Sequence, residues 1–456
     1  MNSDNTVITP SSSQRPLFTT RLGVIATTVG SAVGLGNIWR FPYEAGMHGG
    51  GAFLILYIFF IIILGIPLVS AEYILGRSTH RGIFGAFRML EARKGWNIVA
   101  YMGILSGLLI LSFYSVVAGW TLEYLYGGIA GSYSGQTTEQ LHNIFSEFTS
   151  GWRPLFWTIA FLLLNYAVIS RGVAKGIEKI SNALMPLLLL LIIAFCINSI
   201  MLPKASEGLE FLFYPDFSQI TGKVVIGAMG QAFFSLSLGL GCMLTYASYF
   251  NQKTDLLKSA GITASLDTLI AVLAGVLIFP AVFSFGFSPE AGPKLVFEVL
   301  PAIFNEMNGG QIWASLFFLT LAIASLTSTI SMCEIIVAFL VEQRGMSRKK
   351  ACLITILAAC LLGTLCALSF SVFAGINIPI IGSLNFFNLF DYGTSNILLP
   401  LGGMFISIFT GWVLDRKIFS QQIGNTKSKR IIASCLRMLL RYLCPALIAI
   451  IFIVNL

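Results

Sequence analysis

Charge is scarce in this sequence: 11% of its 456 residues are Asp, Glu, Lys or Arg, against 56% that are hydrophobic. Soluble globular domains carry about a quarter charged residues, so that class is excluded. Histidine is scarcer still, and the three present, His48, His80 and His142, match no metal-ligand spacing. No His-Glu-x-x-His run or evident Ser-His-Asp set occurs, which argues against an enzyme. The eight cysteines all fall in apolar segments. They read as packing residues rather than as a disulfide or metal framework. Residues 1–16, MNSDNTVITPSSSQRP, lack an apolar core followed by a small-residue cleavage site, so no cleaved signal peptide is expected.

What is abundant is apolar run. The mean hydropathy is +0.83, and eleven runs are candidate spans: residues 18–43, 50–76, 97–127, 155–170, 176–200, 223–250, 259–286, 311–341, 349–371, 379–413 and 433–455. Several exceed the ~20 residues that cross a bilayer, so tilt or interruption is expected. The basic residues test the count. With the N-terminus inside, the 28 Lys and Arg residues all fall in cytoplasmic segments except Arg40, Arg153, Lys204, Lys223 and Lys294. Eleven helices with the N-terminus cytoplasmic and the C-terminus external satisfy the positive-inside rule. The net charge of +8 is then a property of cytoplasmic loops, and no nucleic-acid partner is expected. The outward segments 128–153 and 287–310 exceed simple turns, and the second has the apolar spacing of a surface or re-entrant helical hairpin.

Two runs are weakened at their middles. The first contains GSAVGLGN (30–37) and the sixth contains SLSLGLG (235–241). Glycine costs ~1 kcal/mol against alanine inside a helix, and an unpaired backbone group in lipid costs several more. Unwound backbone therefore needs partners. Bare carbonyls suit a hard cation, and free N–H groups at the start of a half-helix suit a carboxylate. Gly30-xxx-Gly34 alone is also the pattern of close helix packing, but a second broken run five spans later favours the interrupted reading. Five is odd, so the two halves enter the membrane from opposite sides as an inverted repeat. The expected division is a tail over 1–17, a first five-helix unit over 18–200 and an external loop over 201–222. A second unit over 223–413 follows, then a cytoplasmic loop and last helix over 414–456.

Other polar residues lie at membrane depth. Asp267 in the seventh run is costly there, by ~2.5–3.5 kcal/mol on insertion scales, and is a functional candidate by default. Glu72 in the second run is expected to accept N–H bonds from unwound backbone nearby. The hydroxyl run ASLTSTIS (324–331) in the eighth is weak alone, because Ser and Thr in such helices commonly bond their own backbone.

The stretch TRLGVIATTVGSAVGLGNIWRFPYEAGMHGGGAFLILY (20–57) resembles the first-helix signature of the neurotransmitter:sodium symporters, the bacterial amino-acid branch in particular. The likeness continues through GQAFFSLSLGLGCMLTYASY, ASLTST and FDYGTSNILLPLGG, in order along essentially the whole chain. The resemblance implies an all-α membrane protein of two inverted five-helix repeats plus one helix, unwound in helices 1 and 6. Its implied task is sodium-coupled uptake of a neutral amino acid by alternating access in the plasma (inner) membrane.

Carried across by residue, the resemblance implies two sodium sites. The first uses Ala32, Asn37, Ser235, Asp267 and the substrate carboxylate. The second uses the carbonyls of Gly30, Val33 and Ala324 with the hydroxyls of Thr327 and Ser328. The substrate carboxylate is expected on the Leu35 and Gly36 amides and the Tyr114 hydroxyl. Its ammonium is expected at Ala32, Phe234, Ser235 and Ser237. Ser31, Ile110, Phe234, Leu240, Ser328 and Met332 form the implied side-chain pocket. Gly34 stands where monoamine carriers place an aspartate, which points to a substrate with its own carboxylate. Leu240, in place of an aromatic, leaves room for a hydrophobic or aromatic side chain. Asp267 replaces a more usual asparagine, and Ala271 one turn on supplies no charge, so chloride is not expected. Arg40 with Asp391 resembles an outer gate and Arg15 with Glu342 an inner one, beside Phe18. A binding receptor of the same fold that does not transport is the alternative. Sodium-dependent binding without uptake would mark it.

Overall fold

The computed structural model describes residues 16–90, 94–288, 295–376, 378–379, 383–424 and 426–455. Eight helices among them are long and apolar enough to cross a membrane: Gly51–Thr79, Asn97–Ala130, Val173–Ile200, Leu256–Ser284, Gly310–Arg344, Arg348–Phe370, Phe386–Val413 and Lys427–Val454. Two bent pairs, Arg21–Ala32 with Gly36–Met47 and Thr138–Ser150 with Arg153–Ile169, raise the number to as many as ten. These account for ten of the eleven apolar runs. The remaining run is in two pieces, Gly222–Ser235 and Cys242–Ala247, neither long enough to span alone.

Boundaries follow local chemistry. Thr20 caps the first helix by accepting from the Gly23 amide at 2.8 Å. The tenth run was expected from 379 but its helix begins at Phe386, where Asn385 caps it by accepting from Asn388. Upstream, Ile378–Pro379 pairs with Ser383–Leu384 as a small antiparallel ladder, which suits a stretch holding Pro379 and Gly382. The last helix begins earlier than its apolar run, at Lys427, with Thr426 as cap. Of the external segment 287–310, residues 289–294 lie outside the described residues, and Leu295–Asn305 is helical. Eight free cysteines are present, and seven suit the packing reading. Cys435 departs from it, because it lies on the exposed face of Lys427–Met438.

The first span breaks where the glycines fall. Val33 is extended (φ −68°, ψ 120°), and the chain resumes as a π-turn over Gly36–Arg40 with the two halves bent by 54°. The sixth breaks over 236–241, with positive φ at Ser237 (51°), Gly239 (82°) and Gly241 (82°). Gly239 is required twice over. Its φ suits only glycine readily, and a Cβ there would lie 2.4 Å from the Gly403 amide and the Leu399 carbonyl of the tenth span.

Candidate functional site at the facing helix breaks

Backbone freed inside a bilayer must find partners among neighbouring side chains, and here it does. Gly34 N donates to Asn37 Oδ1 (3.0 Å), and Leu35 N to the Tyr114 hydroxyl (2.8 Å). The Val33 carbonyl accepts from Ser328 Oγ (2.8 Å), and the Gly36 carbonyl from Gln231 Nε2 (3.0 Å). Across the site, Gly239 N and Leu244 N donate to the two oxygens of Glu72 at 3.1 and 3.0 Å. The expected role of Glu72 is thus met by its geometry: a fully buried carboxylate holds both sides of the second break.

Between the breaks lies a cavity lined by Ala32, Gly34, Gly36, Ile110, Tyr114, Phe234, Ser235, Ser237, Leu240, Ser328, Met332 and Leu399. All but Gly34 and Leu399 were expected from the sequence as substrate contacts. Ser31 and Leu35, also expected there, are buried but are not among the lining residues. Its lining is part polar, with Ser235, Ser237, Ser328 and Tyr114, and part apolar, with Ile110, Leu240, Met332 and Leu399. That is the distribution a zwitterion with a greasy side chain needs.

Beside it, donors converge on Asp267, which is fully buried. Asn37 Nδ2 donates to its Oδ1 (2.7 Å) and backbone oxygen (3.1 Å), Ser235 Oγ to its Oδ2 (2.6 Å), and Tyr57 OH to Oδ2 (3.5 Å) and Ser235 Oγ (3.2 Å). Asn37 Oδ1 is turned to the Gly34 amide, which leaves that oxygen its second lone pair. Asn37, Ser235 and Asp267, expected at the first ion site, are thereby within hydrogen-bond reach of one another. For the second, Ser328 bonds the Val33 carbonyl, and Thr327 Oγ1 donates to the carbonyls of Ala324 (3.1 Å) and Ile323 (3.2 Å). A Cβ on Gly30 would lie 3.3 Å from Thr327 Cβ, so Gly30, Val33, Ala324, Thr327 and Ser328 share one place. Both donor sets are all-oxygen, the chemistry a hard cation takes.

The gate residues are arranged less simply. Arg40 pairs with Glu44 (3.5 Å), not with Asp391, and its guanidinium lies 4.3 Å from the Phe234 ring centroid. Asp391 accepts from Ser395 (3.0 Å). Arg40 thus stacks on an aromatic that lines the cavity, and no Arg40–Asp391 ion pair is formed in this structure. On the opposite side Arg15 lies outside the described residues. Glu342 accepts from the Gly82 amide at 3.0 and 3.1 Å. Phe18 N donates to the Tyr249 carbonyl (2.9 Å), and its ring packs edge-on against Tyr246 and Tyr249.

Sequence reasoning missed Tyr57, Gln231, Leu399, and the pair of Glu334 and Arg348. Glu334 is fully buried, accepts from both terminal nitrogens of Arg348 (3.1 and 2.5 Å) and takes the Tyr249 hydroxyl at 2.5 Å. A signal for Tyr57 existed: a buried tyrosine needs a hydroxyl partner, and its run, LILYIFFIII, supplies none.

Comparison with known proteins agrees along the whole length. A family model described as the sodium:neurotransmitter symporter family matches residues 15–149 and 136–456. An uncharacterized sodium-dependent transporter of Haemophilus influenzae is 37% identical over 98% of this chain and 100% of its own. One from Bacillus subtilis is 36% identical over 97% of this chain and 98% of its own. Among solved structures, MhsT in complex with L-phenylalanine superposes with a TM-score of 0.89 at 41% identity, covering 97% of this chain and 100% of that one.

Proposed function

Since the chain belongs to the sodium:neurotransmitter symporter family, whose task is sodium-coupled transport, we propose that it takes up neutral L-amino acids with hydrophobic or aromatic side chains. The carrying observation is the cavity between two broken helices, whose lining joins backbone of the first break and the hydroxyls of Tyr114, Ser235, Ser237 and Ser328 to the apolar Ile110, Leu240, Met332 and Leu399. Gly34 supports a substrate that brings its own carboxylate: a side chain there would meet Ser328 Oγ at 2.6 Å and Tyr114 OH at 2.7 Å. The phenylalanine bound to MhsT supports the aromatic end of the range.

Two sodium ions travel with each amino acid in this reading. The first is held by Ala32, Asn37, Ser235 and Asp267 together with the substrate carboxylate. Ion and cargo then complete each other's coordination, which is the source of coupling. The second is held by Gly30, Val33, Ala324, Thr327 and Ser328, and joins the inner half of the first span to the eighth. Each charge moving down ~100 mV gains about 2.3 kcal/mol. Two ions with a zwitterion therefore gain roughly 4.6 kcal/mol, near a thousandfold accumulation. Chloride is not required, because Asn37, Ser235 and Tyr57 already surround a negative charge on Asp267. The N-terminus faces the cytoplasm, and the Arg40–Phe234 stack is the outer lid.

The test is uptake into proteoliposomes of a panel of labelled amino acids, with and without an inward sodium gradient. Accumulation of neutral apolar or aromatic members only under the gradient is expected. Uptake indifferent to sodium, or confined to charged amino acids, would overturn the reading. Sodium-dependent binding without uptake would show a receptor instead.

A further inference from the structure

One carboxylate outside the ion sites is committed to the first half-helix. Glu178 closes the π-turn Val173–Glu178 at the start of the fifth span, and it is 2% exposed. Its oxygens accept from the Thr19 amide (3.1 and 2.9 Å), the Thr20 amide (3.0 Å), and the hydroxyls of Thr19 (2.8 Å) and Thr20 (3.0 Å). Thr20 is the cap of Arg21–Ala32, so a single side chain of another span holds the free amides that precede this half-helix. A negative charge there is also favoured by the helix dipole. Gly23 makes the approach possible, because a Cβ on it would lie 2.0 Å from Glu178 Oε1. The same fifth span reaches the far end of the half-helix, where Met185 Sδ lies 3.3 Å from the Cβ position of Gly30.

We propose that Glu178 is a positioning residue for transport: it clamps the inner half of the first span in its ion-binding place, and its release accompanies opening of the site to the cytoplasm. The inference rests on the symport reading above. The clamp is well suited to breaking. Its bonds gather on one carboxylate, so one movement of the fifth span's first turn frees them together. Because Gly30 lies on the clamped half-helix, loosening the clamp withdraws a carbonyl from the second ion site. Sodium and Glu178 therefore favour the same conformation, and the loss of one must weaken the other.

The reporter is Thr27→Cys, on the same half-helix, where the native side chain is 1% exposed and its hydroxyl has no hydrogen-bond partner. It is made in a Cys435→Ser background to remove the exposed native thiol. Thiol labelling is followed in purified, reconstituted protein with and without sodium. In sodium-free medium, Glu178→Gln is expected to speed labelling roughly tenfold, the low end for loss of charged hydrogen bonds. Gly23→Ala, which displaces the carboxylate from the other side, should do the same. Because both act on one contact, the double variant should add nothing further. The sodium concentration that protects the thiol should rise by a similar factor in each variant, which a merely structural role would not produce. Labelling at the wild-type rate in the folded variants, or additive effects in the double variant, overturns the clamp. Failure of sodium to protect the wild-type thiol would instead sink the symport reading. The variant-to-wild-type ratio in sodium-free medium still tests the clamp in that case.

Discussion

Replacing Asp267 by Asn keeps the shape of the side chain and one carbonyl oxygen but removes the charge. The effect can be scaled from the site. Asp267 is fully buried and receives Asn37, Ser235 and Tyr57, so its charge is poorly screened by solvent. A unit charge ~4 Å from a sodium ion at an effective dielectric of about 20 contributes ~4 kcal/mol. The retained oxygen and the easier burial of an amide offset part of this, leaving roughly 2–3 kcal/mol, or ~30- to 150-fold in the half-saturating sodium concentration. Three donors are then left without their anion, and a chloride ion added to the medium can take its place. The assay is uptake by wild-type and Asp267→Asn proteoliposomes across a sodium titration, in chloride and in a large impermeant anion. The wild type should be indifferent to the anion, whereas the variant should fail without chloride and recover partly with it. An Asp267→Asn protein that transports at wild-type levels in chloride-free medium would refute the assignment of Asp267 as the fixed negative charge.

Further outcomes follow from other contacts. The Cβ of Gly34→Ala would lie 2.6 Å from Ser328 Oγ and 2.7 Å from Tyr114 OH, so both must shift and amino-acid binding by scintillation proximity should fall more than tenfold. Glu72→Gln loses the charge that holds Gly239 N and Leu244 N; the folded state should lose ~2–4 kcal/mol, seen as a lower melting temperature in detergent. Glu334→Gln leaves Arg348 without its buried counter-charge and should cost ~3–5 kcal/mol, with Glu334→Gln/Arg348→Met recovering part of it. His48 follows the Gly36–Met47 half-helix, and its hydrogen bond to Glu44 raises its imidazole above the usual 6.5, against the opposing effect of burial. A raised pKa stabilises the fold fully below about 6.5 and loses that contribution as pH rises through the shifted value. The melting temperature should therefore decline over that window, and His48→Gln should flatten the decline.

The broken helices were legible because the cost of weakening a spanning helix is local. Gly30, Gly34 and Gly36 in one run and Gly239 and Gly241 in the other mark it without any partner in view. Glu72 was expected to take N–H groups of unwound backbone, but which donor meets which acceptor across the breaks was not legible from spacing. The Leu35 amide finds Tyr114 at a separation of 79 residues, Gly239 finds Glu72 at 167, and Val33 finds Ser328 at 295. The ion-site residues came from the family likeness, and periodicity would not have joined Asn37 to Asp267. Tyr57 was lost inside an apolar run; Glu334 lies within the eighth run and Glu178 at the start of the fifth, and no spacing names the partner of either. In this structure Arg40 contacts Glu44, one turn along the same half-helix and within reach without a rearrangement.

These distant partners also bear on how cargo can bind without a large energetic penalty. Ser328 Oγ donates to the Val33 carbonyl, and Thr327 to that of Ala324. In the proposed symport, an ion between them would take lone pairs of oxygens that are already gathered there by these bonds. Leu35 N rests on the Tyr114 hydroxyl, so in the proposed reading an arriving carboxylate would take over an existing donor and free that hydroxyl to turn toward it. Glu72, by contrast, gives both oxygens to the sixth-span backbone and has nothing to exchange. The site thus divides into bonds that swap, at Ser328, Thr327 and Tyr114, and bonds that hold, at Glu72. Conservative changes at the swapping residues should alter ion and substrate affinity with little loss of stability, and changes at Glu72 should do the reverse.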